Sequence, residues 1–170
     1  MQISDYIRDV IDFPKPGIVF KDITPLLRDS KAFRLSIEML VAELKDLDFD
    51  YIVAVESRGF IFGSALALEM DKGIIPVRKK GKLPSKTIAV EYELEYGTDV
   101  LEMHLDALEK DSKVIILDDL LATGGTVSAV EELVLSAGAN IVADVFVLHL
   151  SFLGGIDKLK ANKIIKLLEY

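Results

Sequence analysis

Val114 to Thr126, VIILDDLLATGGT, gathers the groups best suited to holding a phosphorylated ligand. A short β-branched run reads as a buried strand that delivers two adjacent carboxylates, Asp118 and Asp119, to its carboxyl end. A loop of small residues then opens a helix at Thr126. Backbone N–H groups of Ala122, Thr123, Gly124, Gly125 and Thr126 can wrap a phosphate, with glycine permitting close approach and two hydroxyls adding donors. Like charge keeps the acids off phosphate itself. They suit hydrogen bonds from sugar hydroxyls, or action on Mg2+ through its waters. The loop lacks the Gly-Lys-Ser/Thr ending of a Walker P-loop and the GxGxxG dinucleotide fingerprint, and a plain acidic turn is the competing reading.

Three further groups carry charge at informative places. In ESRG, Glu56 to Gly59, Arg58 directly follows a buried strand and would project toward an anion, unless it is only a surface ion-pair partner. Arg78, Lys79, Lys80 and Lys82 form the only dense basic cluster, which is either a solvated loop or a second anion site. Glu91, Glu93 and Glu95 alternate with Tyr92, Leu94 and Tyr96, so as a strand the acids share a face; around Gly97 the segment looks like a hairpin tip able to close over a site. Phe20, after a Pro-Gly turn, suits a core aromatic. His104 and His149 fall in or beside apolar runs and read as structural.

The elements that must position these groups alternate. Behind Ser30 as N-cap, Phe33, Ile37, Leu40, Val41, Leu44 and Leu47 form the stripe of an amphipathic helix that ends near Asp48. A buried strand follows at Tyr51 to Val55, then a helix from Phe60 to Asp71. Ile74 to Val77, Thr87 to Tyr92 and Val100 to Leu105 read as strands, the last two half exposed. Val114 to Leu117 is a short strand, Val127 to Ser136 a helix and Ile141 to Leu148 another strand. This alternation predicts an α/β fold, a single domain over residues 1–170 with a mostly parallel twisted sheet flanked by helices. Such sheets bind ligands beyond the carboxyl ends of their strands. The stretch before Ser30 is irregular and reads as a cover or flap.

Composition sets outer bounds. Twenty Lys and Arg against 28 Asp and Glu give a net charge of -8, which argues against a nucleic-acid polymer or an anionic membrane surface as partner. With no cysteine, thiol chemistry and disulfides are excluded. The longest uncharged stretches, Gly59 to Leu68 and Val145 to Ile156, fall short of the roughly 20 apolar residues needed to cross a bilayer, and the expected location is cytoplasmic.

PKPGIVFKDITPLL (Pro14 to Leu27), VESRGFIFG (Val55 to Gly63), VRKKGKLP (Val77 to Pro84), YELEYGTDVLEMHLDAL (Tyr92 to Leu108) and ILDDLLATGGT occur in an order that resembles the type I phosphoribosyltransferases, in particular those acting on adenine. The resemblance implies transfer of 5-phosphoribosyl from phosphoribosyl pyrophosphate (PRPP) to adenine, giving AMP and pyrophosphate with Mg2+, in a homodimer. It assigns ribose and 5-phosphate to Asp118, Asp119 and Ala122 to Thr126. Pyrophosphate falls to Glu56, Ser57, Arg58, Arg78, Lys79 and Lys82, in part across the dimer interface, with a cis peptide between Glu56 and Ser57. Adenine falls to Val19, Phe20, Lys21 and Leu120, within or facing a hood formed by residues 1–29. Catalysis falls to Glu95, Arg58 and Tyr96, the first and last on a mobile loop. Mg2+ is held mainly by PRPP, with no direct protein ligand. Leu105, where a Lys is usual, and Lys110-Asp111-Ser112, in place of a Gly-containing turn, depart from the pattern.

Overall fold

Hydrogen bonding organises even the segment that the sequence leaves irregular. In the computed structural model, which describes residues 1–94 and 97–170, β1 (Arg8–Ile11) pairs antiparallel with β2 (Val19–Asp22), Val10 opposite Phe20. A single turn of helix, α1 (Thr24–Arg28), then leads into α2 (Ser30–Leu44). The N-cap of α2 is Asp29 rather than Ser30: its Oδ1 accepts from the N–H groups of Lys31 at 3.0 Å and Ala32 at 2.9 Å, which a carboxylate does better than a hydroxyl.

From there strands and helices alternate. β3 (Tyr51–Val55), α3 (Gly59–Glu69) and β4 (Gly73–Lys79) form one crossover unit. An antiparallel arm follows, β5 (Thr87–Glu93) and β6 (Thr98–His104). β7 (Lys113–Leu121), α4 (Gly125–Ser136) and β8 (Asn140–His149) form a second unit, and β9 (Ile164–Glu169) ends the fold. The seven strands lie in the order β5-β6-β4-β3-β7-β8-β9. The five from β4 to β9 are parallel and β6 alone runs against them, antiparallel to both β4 and β5, so the sheet is mixed and mostly parallel.

Alternation along the central strands divides the core between the two faces of the sheet. Ile52, Ile115, Leu117 and Val145 pack with α2 and α3 against Leu40, Phe62 and Leu66. Val53, Val55, Ile116 and Phe146 pack on the other face against Val130 and Leu133 of α4 and Leu101 and Met103 of the arm.

Two strands differ from the expected pattern. β7 does not stop at Leu117: pairing of Asp118 with Phe146, Leu120 with Leu148 and Leu121 with His149 carries it past both acids, which therefore stand on a strand rather than in a loop. β9, within a tail that carries no strong pattern, adds itself to the edge of the sheet through β8.

Candidate active site

The winding of the sheet fixes where a ligand fits. The chain leaves β3 toward β4 on one side and leaves β7 toward β8 on the other, while β3 and β7 are neighbours. Their carboxyl ends diverge at a topological switch point, where open α/β sheets form their crevice. A cleft of about 320 Å³ lies there, between Glu56, Ser57 and Arg58 of the β3 loop and Asp118, Asp119 and Leu120 of β7. The Glu56–Ser57 peptide is cis. Gly59 brings α3 hard against β7, because a Cβ at this position would lie 3.0 Å from Asp118 Oδ1.

Beside the cleft, Ala122 to Thr126 enclose a smaller hollow of about 70 Å³ at the start of α4. Gly124 is the N-cap in the left-handed conformation, φ 81°, and a Cβ there would stand 2.3 Å from the Gly155 carbonyl oxygen. The loop thus packs backbone to backbone on the segment after β8. The N–H groups of the first turn of α4 have no intrahelical acceptor, which is the arrangement that binds phosphate oxygens.

The two acids are held differently. Asp118 Oδ1 accepts the Asp119 N–H at 2.9 Å. Although part of its surface is exposed, burial and then the adjacent Asp119 charge push its carboxyl well above the ordinary range. Asp119 is almost fully buried, and burial raises its carboxyl too, against the opposing pull of the Arg58 guanidinium. Arg58 Nε stands 2.9 Å from Asp119 Oδ2 without the alignment of a hydrogen bond, so that oxygen is buried with its hydrogen-bonding capacity unused. It can accept from a ribose hydroxyl or a metal-bound water. Among the described residues no three His, Asp or Glu side chains converge at metal-ligand spacing.

The basic loop is sorted by Glu56. Its carboxylate takes Arg78 Nε at 3.3 Å and Nη2 at 3.2 Å and the Lys79 backbone N–H at 2.9 Å. Burial works to raise this carboxyl, but the Lys79 N–H and the Arg78 guanidinium outweigh it and hold Glu56 below the usual range. Arg78 also donates from Nη1 to the Lys82 carbonyl at 3.3 Å. Lys79 alone of the three predicted cations lines the cleft, its Nζ 3.2 Å from Asp99. Lys82 is exposed outside it.

On the open side of the cleft, Phe20 of β2 lies with its ring centroid 5.4 Å from Arg58 Cζ and edge-on to Phe13 at 5.2 Å. Val19 and Lys21 flank it on the same strand, and Leu120 lines the cleft. Glu95 and Tyr96 lie outside the described residues; on either side of them the Leu94 N–H donates to the Gly97 carbonyl at 2.9 Å. Tyr92 was not foreseen. It lines the cleft with Thr126 and sits opposite Asp99 in the arm, and burial raises its phenol. Its alternation with the three acids was the available signal, since it places Tyr92 on the opposite face of β5.

A cradle for one phosphate at a helix start, acceptors for sugar hydroxyls and a second cationic pocket are the parts of a phosphoribosyl site. Residues 26–162 match the phosphoribosyl transferase domain, and the chain belongs to that class of proteins. It is 52% identical, over the whole of both chains, to the adenine phosphoribosyltransferase of Kosmotoga olearia. The crystal structure of adenine phosphoribosyltransferase from Thermoanaerobacter pseudethanolicus superposes with a TM-score of 0.96 at 52% identity, covering 99% of this chain and 98% of that one. That from Saccharomyces cerevisiae, complexed with adenine and an imino-altritol bisphosphate, superposes at 0.92 with 40% identity, covering 97% and 96%. Within the class, the chain belongs to the adenine phosphoribosyltransferase family.

Proposed function

We propose that this protein salvages adenine by transferring the 5-phosphoribosyl group of PRPP to it, forming AMP and releasing pyrophosphate. The observation that carries this reading is the convergence at one switch point of the α4 start, the Asp118–Asp119 pair and the Arg58 and Lys79 cations. In it, the N–H groups and hydroxyls of Ala122 to Thr126 hold the 5-phosphate, and Asp118 and Asp119 accept from the ribose hydroxyls. Glu56, Ser57, Arg58 and Lys79 receive the pyrophosphate, with Arg78 and Lys82 contributing from the rim. Residues 1–29 form a hood in which Phe20 stacks on adenine and the backbone at Val19 and Lys21 reads its edge, with Leu120 beneath.

The reaction displaces pyrophosphate from the sugar through an oxocarbenium-like transition state, so fixed charge around the ring matters more than a covalent nucleophile. Glu95 shares a proton with the base as its ring nitrogen attacks, and Tyr96 shields the reacting centre from water. Mg2+ fits the site as an ion carried by PRPP, neutralising and aligning the leaving group. The free oxygen of Asp119 can take a hydrogen bond from its water shell.

A homodimer belongs to the same reading: α3 has a single charged residue, Glu69, at its end, and Leu68 on its outer face is 85% exposed, an apolar surface that a second copy would cover. A cytoplasmic site belongs to the same reading, because PRPP and AMP are too highly charged to cross a bilayer. The test is direct. Incubated with Mg2+, PRPP and each purine in turn, the protein should make AMP from adenine; a folded protein that makes none overturns the reading.

A further inference from the structure

The hood carries two strands, and among the described residues β1 and β2 pair with each other and with no strand of the main sheet. A two-stranded hairpin is marginal by itself, so its position depends on what anchors it. One anchor comes from the far end of the chain. Tyr170 follows β9, where its N–H donates to the His149 carbonyl at 2.9 Å and its own carbonyl accepts from Ser151 N and Oγ, both at 2.9 Å. These bonds fix Tyr170 to the main sheet. Its ring lies 4.0 Å from Lys21 Nζ, and the same ammonium reaches Asp9 Oδ1 at 2.6 Å, across the hairpin from Lys21. The Lys21 side chain is only 13% exposed, so this cation sits largely desolvated between a carboxylate and an aromatic face, where a cation–π contact is strongest.

We propose that Tyr170 is a positioning residue for base recognition: with Asp9 it clamps Lys21 and so sets the height of β2, and of Phe20 beside it, over Arg58. The proposal rests on the reading of the hood as the adenine-binding element. The clamp turns the Lys21 side chain away from the base and leaves the backbone of β2 to do the reading, while the main sheet itself defines where that backbone stands. PRPP meets the ends of β3, β4 and β7 and the start of α4, and the hydrogen bonds that tie Tyr170 to Ser151 on that side use only its backbone carbonyl, so a change of its ring leaves them in place.

The experiment compares Tyr170→Leu and Tyr170→Ala, which remove the aromatic face, with Tyr170→Phe, which keeps it. Melting temperatures and steady-state kinetics are measured with each substrate varied and Phe20→Ala as reference. The KM for adenine should rise about tenfold in the Leu and Ala variants while the KM for PRPP stays within about twofold, and Tyr170→Phe should restore the adenine KM. An unchanged adenine KM in Tyr170→Leu, with a raised one in Phe20→Ala, overturns the clamp alone. Equal rises for both substrates, or an equal loss in Tyr170→Phe, also overturn it. If Phe20→Ala leaves the adenine KM unchanged, the hood reading fails and the clamp with it.

Discussion

Arg58 and Asp119 meet at 2.9 Å across the junction of the two crossover units, one from the loop after β3 and the other from β7. The pair ties together the two strand ends that a substrate must bridge. It also sets a charge balance: burial raises the Asp119 carboxyl and the guanidinium lowers it. Replacing Arg58 by Gln leaves the burial and removes the cation, so the carboxyl should move further up. An acid with a higher pKa is protonated over more of the pH range. The acidic limb of kcat/KM for PRPP should therefore shift to higher pH, with a fall in kcat/KM of about 10²-fold from loss of the charge itself. Arg58→Lys should keep part of the rate but not the planar geometry. A pH–rate profile checks this; a limb that stays in place in Arg58→Gln would show that the ion pair does not tune Asp119.

Gly124 offers a steric test of the phosphate loop. With φ at 81° and the Gly155 oxygen 2.3 Å from where a Cβ would be, Gly124→Ala is strained both in its backbone and by a contact that only main-chain movement can relieve. Folding stability should fall by roughly 1–3 kcal/mol, and the KM for PRPP should rise while that for adenine holds. At Gly125 the nearest atom to an added Cβ is the Glu93 carbonyl oxygen at 3.6 Å, an ordinary contact. Gly125→Ala should melt close to the parent, so thermal melts of the two variants separate a crowded glycine from a roomy one.

Glu95 carries the catalytic assignment. A general acid–base group contributes about 10²–10⁴-fold, so Glu95→Gln, which keeps size and polarity but cannot exchange a proton, should lower kcat within that range. Binding of PRPP, measured by calorimetry, should be little affected. Undiminished turnover would sink the assignment.

The strand, loop and helix around VIILDDLLATGGT were legible because they are local: a β-branched run, turn residues and a helical stripe each leave a signal in adjacent residues. Whatever depended on distant partners was not. β7 runs through Asp118 and Asp119 because Phe146 and Leu148 of β8 supply hydrogen bonds that no neighbour in sequence announces. β9 owes its existence to the edge of β8, not to its own pattern. Tyr92 was readable as facing away from Glu91 and Glu93, but which face meets the cleft follows from β6 entering between β5 and β4. The sequence assigned Arg78, Lys79 and Lys82 alike to one anion, whereas in the fold Glu56 draws Arg78 to itself and leaves Lys79 facing the cleft.

Asp144 gives the protein a pH dependence remote from the site. It is fully buried on β8 beside the Glu131 carboxyl, and burial and then Glu131 raise its carboxyl from 3.8 to about 8. Glu131 Oε1 meanwhile accepts the N–H groups of Lys160 at 2.7 Å and Ala161 at 2.8 Å, holding the connection into β9. Between these two pKa values the folded chain keeps a proton that the unfolded chain releases. The stabilisation is complete below about 3.8 and is lost as pH rises through about 8, at up to roughly 1.4 kcal/mol per pH unit. Asp144→Asn stays neutral and keeps a donor toward Glu131, so it should lack this slope. Melting temperatures of the two proteins from pH 5 to pH 9 should diverge in favour of the Asn variant as pH rises, most clearly near pH 8. Parallel curves would mean that Asp144 is already ionised in the folded chain at neutral pH.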